Sequence, residues 1–154
     1  MSMDKSNALA VVIMAAGKGT RMQRDDIPKV CNLILGKPII QYVIDQAKYL
    51  SASKIICIVG HQQEAVRAAL ESEPVLFAEQ LEQLGTGHAV LQTAELLKDF
   101  LGEVIVLSGD VPLLRGSTLA ALLKRHREGQ FAATVLTAIA EDPRGYGRVI
   151  RTVD

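Results

Sequence analysis

One short stretch gathers glycine and positive charge: Met14-Ala15-Ala16-Gly17-Lys18-Gly19-Thr20-Arg21-Met22. Glycines let a backbone approach a ligand closely and turn its N–H groups into a concave anion site. Lys18, Arg21, Arg24 and Lys29 lie in or just after this stretch, partly offset by Asp25 and Asp26. The spacing favours phosphate binding over a solvated surface turn. Neither standard phosphate motif is complete. The dinucleotide fingerprint would place a third glycine where Met22 stands, and a P-loop would place Ser or Thr where Gly19 follows Lys18. Pro28 biases the residue before it toward an extended form, so Lys29 is expected on a stiff segment and not on a helix, as a compact charge suited to phosphate. Taken alone, Lys29 reads as an ordinary solvated lysine.

Two further stretches carry candidate chemistry. Ser108-Gly109-Asp110-Val111-Pro112 follows an apolar run. A carboxylate at the end of a buried strand faces a ligand crevice and suits Mg²⁺, which takes one or two protein carboxylates plus substrate phosphates. A turn aspartate bonding its own backbone fits this stretch equally well. The second stretch is Glu79-Gln80-Leu81-Glu82-Gln83-Leu84-Gly85-Thr86-Gly87-His88. Gln80 and Gln83 carry amides able to pair with a base edge, Gly85 and Gly87 permit close approach, and Thr86 is a candidate helix cap. By itself the stretch reads as a capped helix start, with His88 as a helix-start histidine and no ligand. His61 and His126 fall on polar faces. No Ser-His-Asp or Cys-His arrangement is indicated. An anion loop, a metal carboxylate and placed cations without an activated nucleophile point to phosphoryl or nucleotidyl transfer, where positioning and charge stabilisation do most of the catalysis.

These residues need elements to hold them at strand ends. Residues 8–16 form a nearly continuous apolar run, residues 54–59 a second one stopped by Gly60, Val75-Leu76-Phe77 a short one, and residues 104–107 another. Between them Ile39, Ile40, Val43, Ile44, Ala47 and Leu50 recur at helical spacing. Ala65, Val66, Ala69 and Leu70 mark a second helix, and Val90, Leu91, Ala94 and Leu97 a third. Leu119, Leu122 and Leu123 mark a fourth, with Ser117 as its candidate cap. Val135 with Ile139, and Val149 with Ile150, predict two late strands. Strands alternating with helices imply βαβ units: an α/β, mainly parallel sheet with helices on both faces and right-handed crossovers. Ligands of such sheets lie beyond the carboxyl ends of the strands, near a reversal of strand order.

Composition narrows the classes further. The chain has 154 residues, 49% hydrophobic and 22% charged, which suits one globular domain and excludes disorder. Lys+Arg 17 balance Asp+Glu 17, which argues against a broad basic face for nucleic acid. Cys31 and Cys57 form no disulfide framework and have no metal-ligand spacing; Cys57 lies in an apolar run and is expected to be a reduced core residue. No apolar stretch approaches the ~18 residues of a membrane span. The first apolar run lacks the flanks of a signal peptide, so a cytoplasmic location is expected, with no membrane partner. The chain stops at Arg151-Thr152-Val153-Asp154 without a closing helix, which predicts part of a longer domain.

Read together and in order, the first stretch, Pro28-Lys29-Val30, Gln83-Leu84-Gly85-Thr86-Gly87-His88-Ala89, Gly109-Asp110-Val111-Pro112-Leu113 and Gly145-Tyr146-Gly147-Arg148 resemble one family. It is the uridyltransferase domain of the bacterial bifunctional N-acetylglucosamine-1-phosphate uridyltransferases. The first motif is shared by most sugar nucleotidyltransferases, whereas the third and fifth are far more specific. The resemblance spans nearly the whole chain. It implies a Rossmann-like, glycosyltransferase-A-like nucleotidyltransferase fold, residues 1–154 being its N-terminal, nucleotide-binding part. It implies that Met14, Ala15, Ala16 and Gly17 meet the nucleotide and that Arg21 and Lys29 hold its phosphates as catalytic residues. Gln80, Gly85 and Thr86 would read uracil, Ser108, Gly109 and Asp110 would meet the substrate, Asp110 would also bind Mg²⁺, and Gly147 would line the sugar side. Met14 replaces a usual Leu, and Ser108 stands where some members have Tyr; neither change removes a charge or a metal ligand.

The implied reaction is transfer of a uridylyl group from UTP to N-acetylglucosamine-1-phosphate, supplying a cell-wall precursor. Residues that complete the family's sugar and metal sites would lie beyond Asp154, and no acetyltransferase activity is expected of this chain. Two alternatives stand: a nucleotide-binding module without turnover, and a related transferase for another sugar-1-phosphate or base. The sequence leaves the oligomeric state open.

Overall fold

A computed structural model describes residues 8–17 and 27–151. The chain divides into two compact units, residues 1–120 and 121–154. The first unit is built on strands β1 (Leu9–Met14), β4 (Lys54–Val59), β5 (Leu76–Glu79) and β6 (Glu103–Ser108), all parallel. Every residue of β1 except Met14 is buried, as a strand covered on both faces requires. The strand order is β5-β4-β1-β6. The chain therefore steps outward from β1 through β4 to β5, then returns to the other side of β1. The order reverses between β1 and β6, whose ends lie side by side with Met14 opposite Ser108. A crevice opens where successive crossovers depart in opposite directions.

Helices cover both faces. Val12, Ile56, Ile58 and Ala78 pack with Ala89 of α3 (Thr86–Leu91) and with Leu96 and Leu97 of α4 (Ala94–Leu97). Val11, Ile13, Ile55 and Cys57 alternate with these and look the other way, as the period of two demands. On that side helix α1 (Ile39–Tyr49) buries Ile40, Val43, Ile44 and Ala47, and α2 (Gln63–Ala69) buries Val66. Burial pushes the Cys57 thiol up to about 12, which makes it an inert core residue. A small hairpin, β2 (Leu33–Ile34) with β3 (Lys37–Pro38), delivers the chain into α1. Helix α5 (Gly116–Gly129) follows β6.

Four local expectations are corrected. The third helix is two, because Thr93 interrupts it: its hydroxyl donates to the Val90 carbonyl (2.7 Å) and its N–H to the same atom (3.0 Å), tightening the turn. Ser117 does not cap α5; the helix begins at Gly116, and the Thr118 and Leu119 N–H groups close on the Arg115 carbonyl. Lys29 does lie on helical chain, opening a single 3₁₀ turn, Lys29–Cys31, while Pro28 before it is extended. The late strands are absent from the described residues, where residues 132–151 carry no strand and Val135, Ile139, Val149 and Ile150 are exposed. Apolar spacing becomes a strand only where a neighbour offers hydrogen bonds and a face to bury, and the second unit offers neither to these residues. Short shifts at strand ends, such as β5 starting at Leu76 and not Val75, are of the usual one-residue kind.

Candidate active site

Three loops meet beyond the strand ends, and backbone contacts tie them together. The Ala15 N–H donates to the Ile58 carbonyl (2.9 Å), extending β1 by a residue against β4. After β6, the Gly109 N–H donates to the Met14 carbonyl (2.9 Å). A Cβ at Gly109 would stand 2.9 Å from that same carbonyl oxygen, so only glycine lets β6 finish this close to β1. After β5, the Gln80 N–H donates to the Val59 carbonyl (2.8 Å), and the Gln83 amide donates to the Ala16 carbonyl (2.7 Å). Gly85, at φ 102, turns the chain into α3 in a conformation L side chains avoid. Thr86 is thus the first residue of α3 rather than its cap, and no side chain caps this helix.

These loops enclose a cavity of about 490 Å³, within the ordinary range for small-molecule sites. Its lining brings together Met14, Ala15, Ala16, Gly17, Lys29, Gln80, Gly85, Thr86, Ser108 and Asp110, residues spread over 97 positions of sequence. Gly109 lies under the rim between Ser108 and Asp110 and acts through its backbone. Arg21 lies outside the described residues. Gly147 belongs to the second unit, on exposed irregular chain. Val30, Gln83 and Ala89 also line the cavity. Val30 and Ala89 had no chemical signature in the sequence; they are apolar wall, recognisable only once the turn at Lys29 and helix α3 are in place.

The charged centre is compact. Lys29 Nζ donates to Asp110 Oδ2 at 2.6 Å, and Ser108 Oγ donates to Asp110 Oδ1 at 2.6 Å. The Lys29 ammonium first, and the Ser108 hydroxyl second, hold the Asp110 carboxyl below the usual carboxylate range. The Lys29 and Asp110 side chains remain 40% and 34% exposed, so an incoming ligand can reach both. Opposite them Gln80 is buried, its amide Nε2 3.1 Å from the Gly85 carbonyl and 3.1 Å from His88 Nδ1. The cavity thus holds a cation, an ionised carboxylate and a fixed amide, with the chain at residues 15–17 along its wall. Among the described residues no group of three or more His, Cys, Asp or Glu could hold a metal ion by itself. Among the described residues no helix is long and apolar enough to cross a membrane.

Residues 11–148 match the MobA-like NTP transferase domain. The chain is 51% identical over 142 residues to a Bifunctional protein GlmU of Acaryochloris marina, covering 92% of this chain and 31% of that protein. It is 47% identical over 150 residues to a Bifunctional protein GlmU of Syntrophotalea carbinolica, covering 97% of this chain and 32% of that protein. The chain spans about a third of the length of these relatives. Among solved structures, a UDP-glucose pyrophosphorylase from Acinetobacter baumanii superposes with a TM-score of 0.65 at 24% identity, over 80% of this chain and 54% of that one. That likeness shows the Rossmann-like fold alone.

Proposed function

From the premise that the chain belongs to the MobA-like NTP transferase domain family, we propose that its cavity binds UTP and carries uridylyl transfer to N-acetylglucosamine-1-phosphate. The observation that carries this reading is the contact of Lys29 with Asp110 across 81 residues of sequence, in the crevice where the strand order reverses. The similarity to the GlmU proteins supports the choice of base and sugar.

In the proposed reaction a phosphate oxygen of the sugar-1-phosphate attacks the α-phosphorus of UTP. A new P–O bond forms, the bond to the β-phosphate oxygen breaks, and pyrophosphate leaves with the electron pair. The cavity wall at residues 15–17 receives the nucleotide, and Gln80 meets the base. Lys29 sits where a compact cation can hold the phosphates and offset the charge gathering on the leaving pyrophosphate. Arg21 shares that role in the resemblance.

Mg²⁺ fits this site in a limited way. One ionised carboxylate is too few for a protein-made cage, but it suits an ion whose other ligands are phosphate oxygens and water. Asp110 would hold the ion, with Ser108 steadying the carboxylate; the ion would neutralise phosphate charge. Lys29 would then release Asp110 and turn to the phosphates.

Pyrophosphate release from UTP and N-acetylglucosamine-1-phosphate in the presence of Mg²⁺ tests the proposal. Asp110→Asn and Lys29→Ala are each expected to lower the rate about 10²–10³-fold, the usual cost of one preorganised charge contact. An unchanged rate in Asp110→Asn overturns the role given to that carboxylate. UTP binding without pyrophosphate release would instead make the chain a nucleotide-binding module.

A further inference from the structure

We propose that His88 is a positioning residue that sets which end of the Gln80 amide faces the cavity, and so makes the site select a base with a ring N–H donor. The inference rests on the nucleotide reading above and deepens its base specificity.

A glutamine amide can be turned either way, and its neighbours decide. Gln80 Nε2 is 3.1 Å from the Gly85 carbonyl oxygen, which only accepts, so the NH₂ end must face it. The same Nε2 is 3.1 Å from His88 Nδ1. With one amide proton on Gly85, the other needs a lone pair at Nδ1, which a neutral ring supplies when its proton is on Nε2. The other side of the ring makes a competing demand. Gln92 Nε2 is 3.2 Å from His88 Nε2 and is itself turned by the His88 carbonyl at 3.0 Å. Two NH₂ groups thus flank a ring that has one lone pair. Gln80 is 5% exposed, whereas Gln92 is half-buried and has water to turn to. An unmet donor costs more where water is excluded, so the lone pair goes to Gln80.

Both Gln80 amide protons are then committed, and what the side chain has left to offer the cavity it lines is Oε1. That oxygen only accepts. Uracil presents N–H at ring position 3 and matches it, whereas cytosine presents a lone pair there and opposes it. Without His88 the Gly85 carbonyl alone resists the flip that would offer NH₂ to cytosine. With His88 a flip breaks two hydrogen bonds and sets Oε1 against two lone pairs.

Calorimetric titration of the chain with UTP and with CTP, both with Mg²⁺, tests this on three proteins. The unaltered chain is expected to prefer UTP. His88→Phe keeps the ring but lacks the acceptor, and the UTP-to-CTP preference is expected to fall about ten-fold, the worth of one buried hydrogen bond. His88→Asn places Oδ1 near the position of Nδ1 and should restore the preference. An undiminished preference in His88→Phe overturns the proposal while leaving the nucleotide reading intact. Equal affinity of the unaltered chain for UTP and CTP overturns the uracil reading itself. A second measurement needs no variant: the nitrogen shifts of His88 in the unaltered protein should show Nδ1 bare and Nε2 protonated. The opposite tautomer overturns the proposal, even if His88→Phe fails to fold.

Discussion

The contact of Lys29 with Asp110, at the centre of the proposed site, adds little to stability. Both side chains are a third or more exposed, where an ion pair contributes roughly 0–1 kcal/mol. Lys29→Ala should therefore cost less than about 1 kcal/mol in a denaturant melt, while the nucleotide rate falls far more. Protonation gives the pair a signature. The Asp110 carboxyl is depressed in the folded chain relative to the unfolded one. Its stabilising effect is therefore fully present above the unfolded value of about 3.9 and is lost as pH falls through the lower folded value. Melting temperatures of the unaltered chain and of Asp110→Asn should differ at neutral pH and converge in strong acid. A constant difference would show that the carboxylate is not the group at work. Lys29 and Asp110 stood out in the sequence through a proline and a strand end; their direct contact could not, because no local pattern relates positions 81 apart.

Elements carry the site through their joints. The nearly buried Glu73 carboxylate, on the chain after α2, takes a hydrogen bond from Gln41 at 2.5 Å and an ion pair from Lys48, both on α1. Lys48 foremost holds Glu73 below the usual carboxylate range. Glu73→Ala removes the acceptor for both α1 side chains and should lower stability by about 1–3 kcal/mol at neutral pH, with the loss fading as acid protonates the group in the unaltered chain. Chemical denaturation at pH 7 and pH 3 checks both signs. Elements also show where periodicity misleads. The apolar faces around Val90 and Leu97 read as one helix, yet Thr93 bonds back to Val90 and splits it. Val135 and Ile139 read as strand, yet the described residues around them form none. Thr93 is only 2% exposed, and a buried hydroxyl takes the nearest carbonyl whatever the surrounding pattern.

For the first unit as a body, ligand binding and folding are linked. The cavity exists only where the loops after β1, β5 and β6 are held together, so a nucleotide that binds there binds the folded state. UTP at about a hundred times its dissociation constant should add roughly 2.7 kcal/mol. That corresponds to a rise of about 5–10 °C in melting temperature for a chain of this size. Differential scanning calorimetry with and without UTP and Mg²⁺ checks it, and no shift at high nucleotide would show that the folded chain does not bind it.

Much of this organisation was legible in one dimension. Unbroken apolar runs such as Ala10-Val11-Val12-Ile13 bury on both faces, which only a covered parallel strand allows, and the helical spacing between the runs supplies the cover. Those runs also predict where the ligand lies, since strand ends are where glycines and charges follow. Folding in three dimensions was needed for everything that depends on register and rotation. It set β6 beside β1 rather than beside β5, closed Lys29 on Asp110, and turned the Gln80 amide between Gly85 and His88. A pattern along the chain records which residues avoid water; it holds no record of which hydrogen-bond donor reaches which lone pair.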